Sequence, residues 1–440
     1  LVHRTLVVAL ALSLSGCWFE KQVPKMTVDS RMGGMIQLDA CGYAVTTRAG
    51  ASAPVTGTPV LGIDPTPRDI HLGLASDPKT SMVVVWATND DTLESTVQFG
   101  VNGQTDQTLE GITFDYAVPT QAPVRIHQAH LCGLTADTEY TYRVGSFTGS
   151  FDAGGATNDA GVPIATMSDT STFRTGPSDP DAQITVLALG DTRDGYTTWA
   201  SILQQAFMME RPDLILFSGD GVTLGPVQPE WETWFTLAEP YLRQVPLLPA
   251  QGNHDVNAVN YYSQFAAPGN EEDYSTDYGP LHVTVANDTP VDPTTVASTI
   301  AQFLQTDLTA AQGDPWIIVM HHRPLYSSSA GHGSDPALQM EWGPIFDMTH
   351  PDLVMNGHDH DYERSKPLHN GMVETSNADG TVYVVAGSAG AELYDSGTSF
   401  FTQYSEKTSS FVIMHIRKGL LQYNAYRQDG SALDSFMITK

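Results

Sequence analysis

The chain has 440 residues, with 21 Lys and Arg against 50 Asp and Glu, a formal net charge of −29. Such a surface repels phosphate backbones, which excludes a nucleic-acid polymer or an anionic membrane surface as a general partner. It leaves room for a small anion held by local cations. With 41% hydrophobic and 16% charged residues, the chain is folded rather than disordered, and long enough for two cores.

His3 and Arg4 precede a short apolar run, residues 5–14, which ends in Leu14-Ser15-Gly16-Cys17. The run is too short to span a bilayer permanently. Small residues before a Cys predict a lipoprotein signal over 1–16, with Cys17 acylated. That reading places the protein on the periplasmic or cell-surface side of a bacterial membrane, touching it only through the lipid anchor at Cys17. A plain secretion signal and a buried strand are the alternatives. Residues 17–64 read as a tether and irregular lead-in. Cys41 and Cys132 then remain, as one disulfide or as two separate buried thiols. Neither arrangement makes a Cys-rich metal cluster, so any metal falls to His, Asp and Asn.

A β-domain is expected over 65–176. Residues 82–86, 95–99, 139–144 and 171–175 read as short strands with no long helical pattern between them, which suggests a sandwich. The Gly-, Ala- and Asp-rich stretch 147–168 reads as a solvated loop. The pattern changes after Pro180. The apolar strand 184–189 ends in Gly190-Asp191, and 199–209 reads as a helix. A second strand, 214–217, ends in Gly219-Asp220. Residues 245–249 lead into Gly252-Asn253-His254-Asp255. The run 299–308 is helix-like, and strand 316–320 is followed by His321-His322. Residues 353–355 lead into Gly357-His358-Asp359-His360. Strands over 381–386, 410–416 and 420–426 suggest a second sheet, hence a layered α/β sandwich over 177–440.

A single Asp after a strand is usually a turn or a cap. Five strand-end motifs in succession are different, because open α/β sheets place functional groups beyond the carboxyl ends of their strands. Imidazole, carboxylate and Asn carbonyl suit Zn, Fe or Mn, and a carboxylate can bridge two metals about 3.5–4 Å apart. In an extended loop His358 and His360 point to one side. In a tight loop they reach different metals. The acidic run Asn270-Glu271-Glu272-Asp273 reads as a solvated turn, since its spacing does not match a calcium-binding hand. Trp231, Trp234, Tyr261 and Tyr262 line either a pocket mouth or, more commonly, a core.

In order, Gly190-Asp191, Gly219-Asp220, Gly252-Asn253-His254-Asp255, His322-Arg323-Pro324 and Gly357-His358-Asp359-His360 resemble the blocks of the calcineurin-like metallophosphoesterases. Asp361-Tyr362-Glu363-Arg364 resembles the purple-acid-phosphatase-like branch. So do His130-Leu131-Cys132-Gly133-Leu134 and the strand Tyr140 to Gly145, which look like that branch's fibronectin-like domain. The ending Gly430 to Phe436 is similar to its last strands. The resemblance implies an N-terminal fibronectin type III-like sandwich followed by a four-layer αββα domain. It implies two divalent or trivalent metal ions (Fe, Zn or Mn): Asp220 bridging, Asp191 and His360 on the first, Asn253, His322 and His358 on the second. His254 would contact phosphoryl oxygens or the leaving group. His321 matches no ligand position and reads as a packing residue or one that supports the ligands from behind. His332 stands where the family often has a substrate-side His, or else the loop carries it into solvent.

Two positions depart from the family. Thr223 stands where purple members have a Tyr, so no purple colour is expected. Arg193 stands where other members have a His, so the first metal is short of protein ligands. Arg193 either clamps a phosphate oxygen or pairs with Asp194 or another carboxylate. The implied activity is hydrolysis of a small phosphoester, an acid-phosphatase-like phosphomonoesterase using metal-activated water. The alternatives are a phosphodiesterase of the same fold acting on nucleotides or phospholipid headgroups, and a non-catalytic surface adhesion protein.

Overall fold

The computed structural model describes residues 25–27, 35–46, 66–88, 92, 94–116, 124–146, 166–256, 258–289 and 296–440. The expected signal, Cys17 and most of the expected loop 147–168 lie outside these residues.

The N-terminal part is two facing β-sheets. One runs in the order Lys25–Thr27, Ile112–Tyr116, Val124–Cys132, Ser81–Thr88, Arg68–Gly73. The other is built on Glu139–Ser146, which pairs with Thr96–Val101, Thr166–Met167 and Ser171–Arg174, with Gln107–Glu110 at the edge. Side chains alternate across a strand, and here both faces find a core. Met82, Val84 and Trp86 meet Val97, Tyr142 and Phe173 between the sheets. Val83, Val85 and Ala87 pack on Val259 and Ala266 of the C-terminal part. A strand buried on both sides reads as the unbroken apolar run seen in the sequence. Cys41 and Cys132 are joined in a disulfide, which ties the hairpin Met35–Leu38 and Tyr43–Thr46 to this sheet.

The C-terminal part holds two large sheets and a two-stranded one, Leu368–His369 with Met372–Val373. Its first contains β1 (Ile184–Leu189), β2 (Leu214–Phe217) and β3 (Leu247–Pro249), mutually parallel. The second contains β4 (Tyr274–Tyr278), β5 (Leu281–Val285), β6 (Trp316–Met320), β7 (Leu353–Asn356), β8 (Tyr362–Ser365), β9 (Val382–Ala386) and β10 (Thr402–Glu406). Strands β5, β6, β7 and β9 are parallel neighbours. Strands β11 (Ser410–Arg417), β12 (Leu420–Arg427) and β13 (Ala432–Thr439) extend the first sheet beside β1 as an antiparallel meander.

Residue parity assigns the layers. Val186, Ala188, Leu214 and Leu216 point between the sheets, where they meet Ile318, Met320, Met355 and Val384. Leu187, Leu189, Ile215 and Phe217 face outward onto α1 (Tyr196–Met209) and α2 (Gln228–Leu242). Ile317, Val319 and Val354 face the opposite way, onto α4 (Ala301–Ala310) and α6 (Gly343–Thr349), which follow the short helices α3 (Val259–Gln264) and α5 (Pro336–Glu341) in chain order. The result is helix, sheet, sheet, helix. In α1 the buried residues are Trp199, Ile202, Leu203 and Ala206, the spacing of a single helical face. In α2 they include Trp231, Trp234, Phe235 and Ala238, and Trp199 stacks on Trp234 at 5.1 Å. The four aromatics in question are therefore core: Trp231, Trp234, Tyr261 and Tyr262 are all buried. The helix expected over 299–308 begins with a π turn, Val296–Ile300, and continues as α4.

The acidic run 270–273 corrects an expectation. Glu271 and Glu272 are buried, and Glu272 accepts the Tyr262 hydroxyl. Asn270 Oδ1 accepts the backbone N–H of Glu272 and of Asp273, which turns the chain inward. Polarity read along a sequence does not show that a turn is folded under a helix.

A His between carboxylates links β5, β4 and α4. His282 Nδ1 lies 2.7 Å from Asp277 Oδ1, and its Nε2 lies 3.1 Å from Asp307 Oδ2. Burial works against its charge, but the two carboxylates outweigh burial and raise its pKa from 6.5 to about 9. The folded chain thus holds this proton more tightly than the unfolded chain, so the stabilisation is complete below 6.5 and disappears as pH rises through about 9. Denaturant titrations of wild type and His282→Gln across that window are expected to show a stability margin that narrows with rising pH. A margin that widens would contradict the imidazolium.

Candidate metal centre

The ends of β1, β2, β3, β6 and β7 converge. Asp191 follows β1, Asp220 follows β2, Asn253 and His254 follow β3, His322 follows β6, and His358 and His360 follow β7. Asp191, Asp220 and His358 have φ of 58°, 54° and 69°, left-handed values that are uncommon for residues with a Cβ. Close approach requires glycine nearby. A Cβ on Gly252 would collide with the Asp220 backbone and carboxylate, and one on Gly357 would strike the Asp191 carboxylate.

Two groups of donors share Asp220. On one side, ligand atoms of Asp191, Asp220 and His360 all lie within 4.8 Å of one another, and all three residues are buried. On the other side, His322 Nε2 is 3.4 Å from Asp220 Oδ2 and 3.0 Å from Asn253 Oδ1. The His322 and His358 rings meet edge to face at 5.0 Å. His358 and His360, two apart in sequence, thus have different neighbours: His322 for the first, Asp191 for the second. The tight loop separates them.

Backbone carbonyls set the imidazoles. His322 Nδ1 donates to Ser218 O at 2.8 Å, His360 Nδ1 to Glu392 O at 2.8 Å, and His254 Nδ1 to Thr223 O at 2.7 Å. A carbonyl can only accept, so Nδ1 carries the proton in each ring and Nε2 is the atom available to a ligand. Asp255 braces the loops: its carboxylate accepts the backbone N–H of Gly252, Asp220 and Gly221 at 2.8, 3.1 and 3.2 Å. The His358 N–H donates to the Asp191 carboxylate, and the His254 N–H to Asp220 Oδ1.

The electrostatics are those of buried acids needing cations. Burial pushes the Asp220 carboxyl up, but His322 and His254 outweigh burial and hold it below the usual carboxylate range. Burial also pushes His322 down, and Asp220 and Asp191 overcome it, raising His322 to about 10. Asp255 is raised to about 7, by burial and by the charge of Asp220. A field that retains a proton so tightly also favours a metal cation, which competes for the same lone pairs. The donor set therefore fits two cations.

Arg193 does not pair with Asp194. Asp194 accepts the Thr223 hydroxyl at 2.6 Å. The guanidinium lies 3.7 Å from Asp220 Oδ2 and 3.5 Å from both His360 Nε2 and the Tyr394 hydroxyl, and its buried Nε has no hydrogen-bond partner. The His332 ring stacks on His358 at 4.0 Å, so its loop brings it to the centre. His321 packs edge-on against Trp342 and meets Asp288 at 2.9 Å, as a packing residue. Tyr394, which stacks on His360 at 4.2 Å, is a site residue that sequence reasoning missed. It sits in no recognisable motif. Asp255 was visible in its motif, but its triple backbone grip was not.

Residues 184–362 match the calcineurin-like phosphoesterase family, and residues 67–175 match the purple acid phosphatase N-terminal domain. Purple acid phosphatase 18 of Arabidopsis thaliana is 27% identical, covering 74% of this chain and 71% of its own length. Acid phosphatase type 7 of Homo sapiens is also 27% identical, covering 85% of this chain and 91% of its own. A purple acid phosphatase from yellow lupin (Lupinus luteus) seeds superposes with a TM-score of 0.73 at 21% identity, covering 85% of this chain and 74% of its own. That likeness shows a shared fold.

Asp255→Ala leaves three buried amides without an acceptor, each costing about 1–3 kcal/mol. The variant is expected to lose at least about 2 kcal/mol of stability by denaturant titration. An unchanged midpoint would mean the brace is not needed.

Proposed function

We propose that this chain, a calcineurin-like metallophosphoesterase with a purple acid phosphatase N-terminal domain, hydrolyses small phosphomonoesters. The observation that carries the reading is one buried carboxylate, Asp220, shared by two sets of donors. Asp191, Asp220 and His360 would hold a first cation, and Asp220, Asn253, His322 and His358 a second. Iron, zinc and manganese all suit these ligands. When bound, such cations neutralise phosphoryl charge and make water a better nucleophile at neutral pH.

The chain's own residues do the rest. Arg193, whose Nε stands 3.7 Å from Asp220 without a hydrogen bond, would turn its planar fork to a phosphoryl oxygen. His254, with Nδ1 fixed on Thr223 O, has Nε2 free to hold a proton for the departing oxygen. His332, stacked on His358 at 4.0 Å, would be a second such imidazole. A water oxygen bonds to phosphorus and sheds a proton, the ester P–O bond breaks, and the leaving oxygen takes a proton from His254 or His332, which the proton shed by water restores. Thr223 replaces the colour-giving Tyr and instead ties Asp194 through its hydroxyl and His254 through its carbonyl.

Export is part of the proposal. The apolar run before Cys17 supports a lipoprotein signal over 1–16 and a lipid anchor on the outer side of a bacterial membrane. The Cys41–Cys132 disulfide suits an oxidising compartment. Among the described residues no helix is long and apolar enough to cross a membrane. We divide the remainder into a fibronectin-like sandwich over 65–176 and the catalytic domain over 177–440.

One experiment tests the reading. The metal-loaded protein is assayed for phosphate release from matched mono- and diester substrates, with its metal content and anomalous scattering measured alongside. Two metal peaks flanking Asp220 and a preference for the monoester are expected. Asp220→Asn should abolish both metal retention and turnover. Preference for the diester would move the assignment to a phosphodiesterase, and a single peak would remove the bridging role.

A further inference from the structure

The loop 327–335 carries His332 but has little apolar surface of its own. What holds it is a buried carboxylate from another part of the chain. Asp359 lies between His358 and His360 and is fully buried. Its Oδ1 accepts the His332 backbone N–H at 2.7 Å. Its Oδ2 accepts the Ser327 hydroxyl at 2.5 Å and the Gly333 N–H at 3.0 Å. All three bonds go to the one loop. Glu363, also buried, provides a second hold: it accepts the Ser328 N–H at 2.6 Å and the Ser328 hydroxyl at 2.7 Å.

The loop is closed on itself and against its neighbours. The Ser334 hydroxyl donates to Ser327 O at 3.0 Å, and the Ala330 N–H to Asp395 O at 2.8 Å. A Cβ on Gly331 would collide with the Tyr394 ring, so the backbone lies directly on that ring. Bonds to an ionised acceptor are about twice as strong as neutral ones. A short polar loop held by two buried carboxylates has little freedom, and its one imidazole is delivered at a fixed place. That place is the face of His358, at 4.0 Å with the rings 24° apart.

We propose that Asp359 is a positioning residue for His332: it anchors the 327–335 loop so that this imidazole stands beside the phosphoryl site before substrate arrives. The inference rests on the role given to His332 above. It adds a cause for that placement, and it explains an acid set between two proposed metal ligands without being a ligand itself. Asp359 uses its oxygens on the loop, so it acts at a distance from the reacting atoms. A carboxamide cannot substitute, because one acceptor oxygen becomes a donor facing other donors.

The test compares Asp359→Asn, His332→Ala and the double variant in the metal-loaded full chain. Backbone hydrogen exchange over 327–335, metal content, and kcat and KM are measured for each. Asp359→Asn is expected to speed exchange in the loop about tenfold or more while keeping the metal content of wild type. His332→Ala should lower kcat roughly a hundredfold, and Asp359→Asn about tenfold with little change in KM. In the His332→Ala background the second substitution should add less than about twofold, since it has no imidazole left to misplace. Ser327→Ala removes one of the three bonds and gives a milder version of the same pattern should Asp359→Asn fold poorly. Unchanged exchange in both Asp359→Asn and Ser327→Ala would overturn the proposal. So would loss of metal from Asp359→Asn, or effects that multiply in the double variant. If His332→Ala keeps full activity, the role of His332 in the proposed function fails, while the exchange data still decide whether Asp359 anchors the loop.

Discussion

Burying two carboxylates side by side is the constraint to which the catalytic half is built. Asp191 and Asp220 are both closed to solvent, and an unpaired buried charge is far too costly to tolerate. The fold meets the cost locally, with backbone N–H groups from His254 and His358 and with the charge of His322. These partners come from three strand ends beyond the two that carry the acids, so the acids can be buried only if all five loops close together. That need accounts for the left-handed residues, for glycines where no Cβ fits, and for Asp255 gripping three amides at once. It also accounts for the chemistry, because a nest of donors this negative is completed best by cations.

Rigidity at the strand ends depends on what lies behind them. The parity of β1 and β2 divides their side chains between an inter-sheet core and a helix layer, so neither strand can slip by one residue without exposing both. The N-terminal sheets add a third surface. Strand Ser81–Thr88 is buried on both faces, and several polar contacts cross the junction: Arg68 to Glu232 at 3.2 Å, and the Asp69 N–H to Glu239 at 2.7 Å. His71 bridges Asp69 O and Gln264 O at 2.6 Å each, stacked on Phe235 at 4.3 Å. Burial lowers its pKa to about 4, and a neutral imidazole carries one N–H, so it donates to only one of the two carbonyls at a time. These groups brace α2, whose Trp234 donates to Thr192, the residue after Asp191. The sandwich thereby supports the metal-binding loops from behind.

Legibility in the sequence followed the range of the interaction. Apolar strands, their Gly-Asp and Gly-His endings and the one-faced helix α1 are local patterns, and each appeared where periodicity placed it. The donor set was legible because every member sits directly after a strand. Tyr394, Asp359 and Glu392 were not legible as site residues, since their role comes from loops meeting across the fold. The run at 270–273 shows the converse. Two adjacent glutamates look solvated along the chain, yet the Asn270 turn and the Tyr262 hydroxyl bring them inside. Arg193 was visible as a departure, but its place was not: Asp194 is bound to Thr223, and the guanidinium lies 3.7 Å from the buried Asp220 instead.

The charge of −29 and a site for phosphate are compatible for a reason of length scale. Only two of the 50 acidic residues belong to the donor set, so nearly all of the negative charge is distributed elsewhere. At physiological ionic strength, fields between exposed charges fade over about 8 Å. A small monoester entering the cleft is therefore governed by what lies within that distance: the cations the donors can hold, Arg193 and the imidazoles. A polyanion extends well beyond it and meets the acidic surface along its whole length. The composition that argues against a polyanion is thus compatible with a compact phosphate in the cleft.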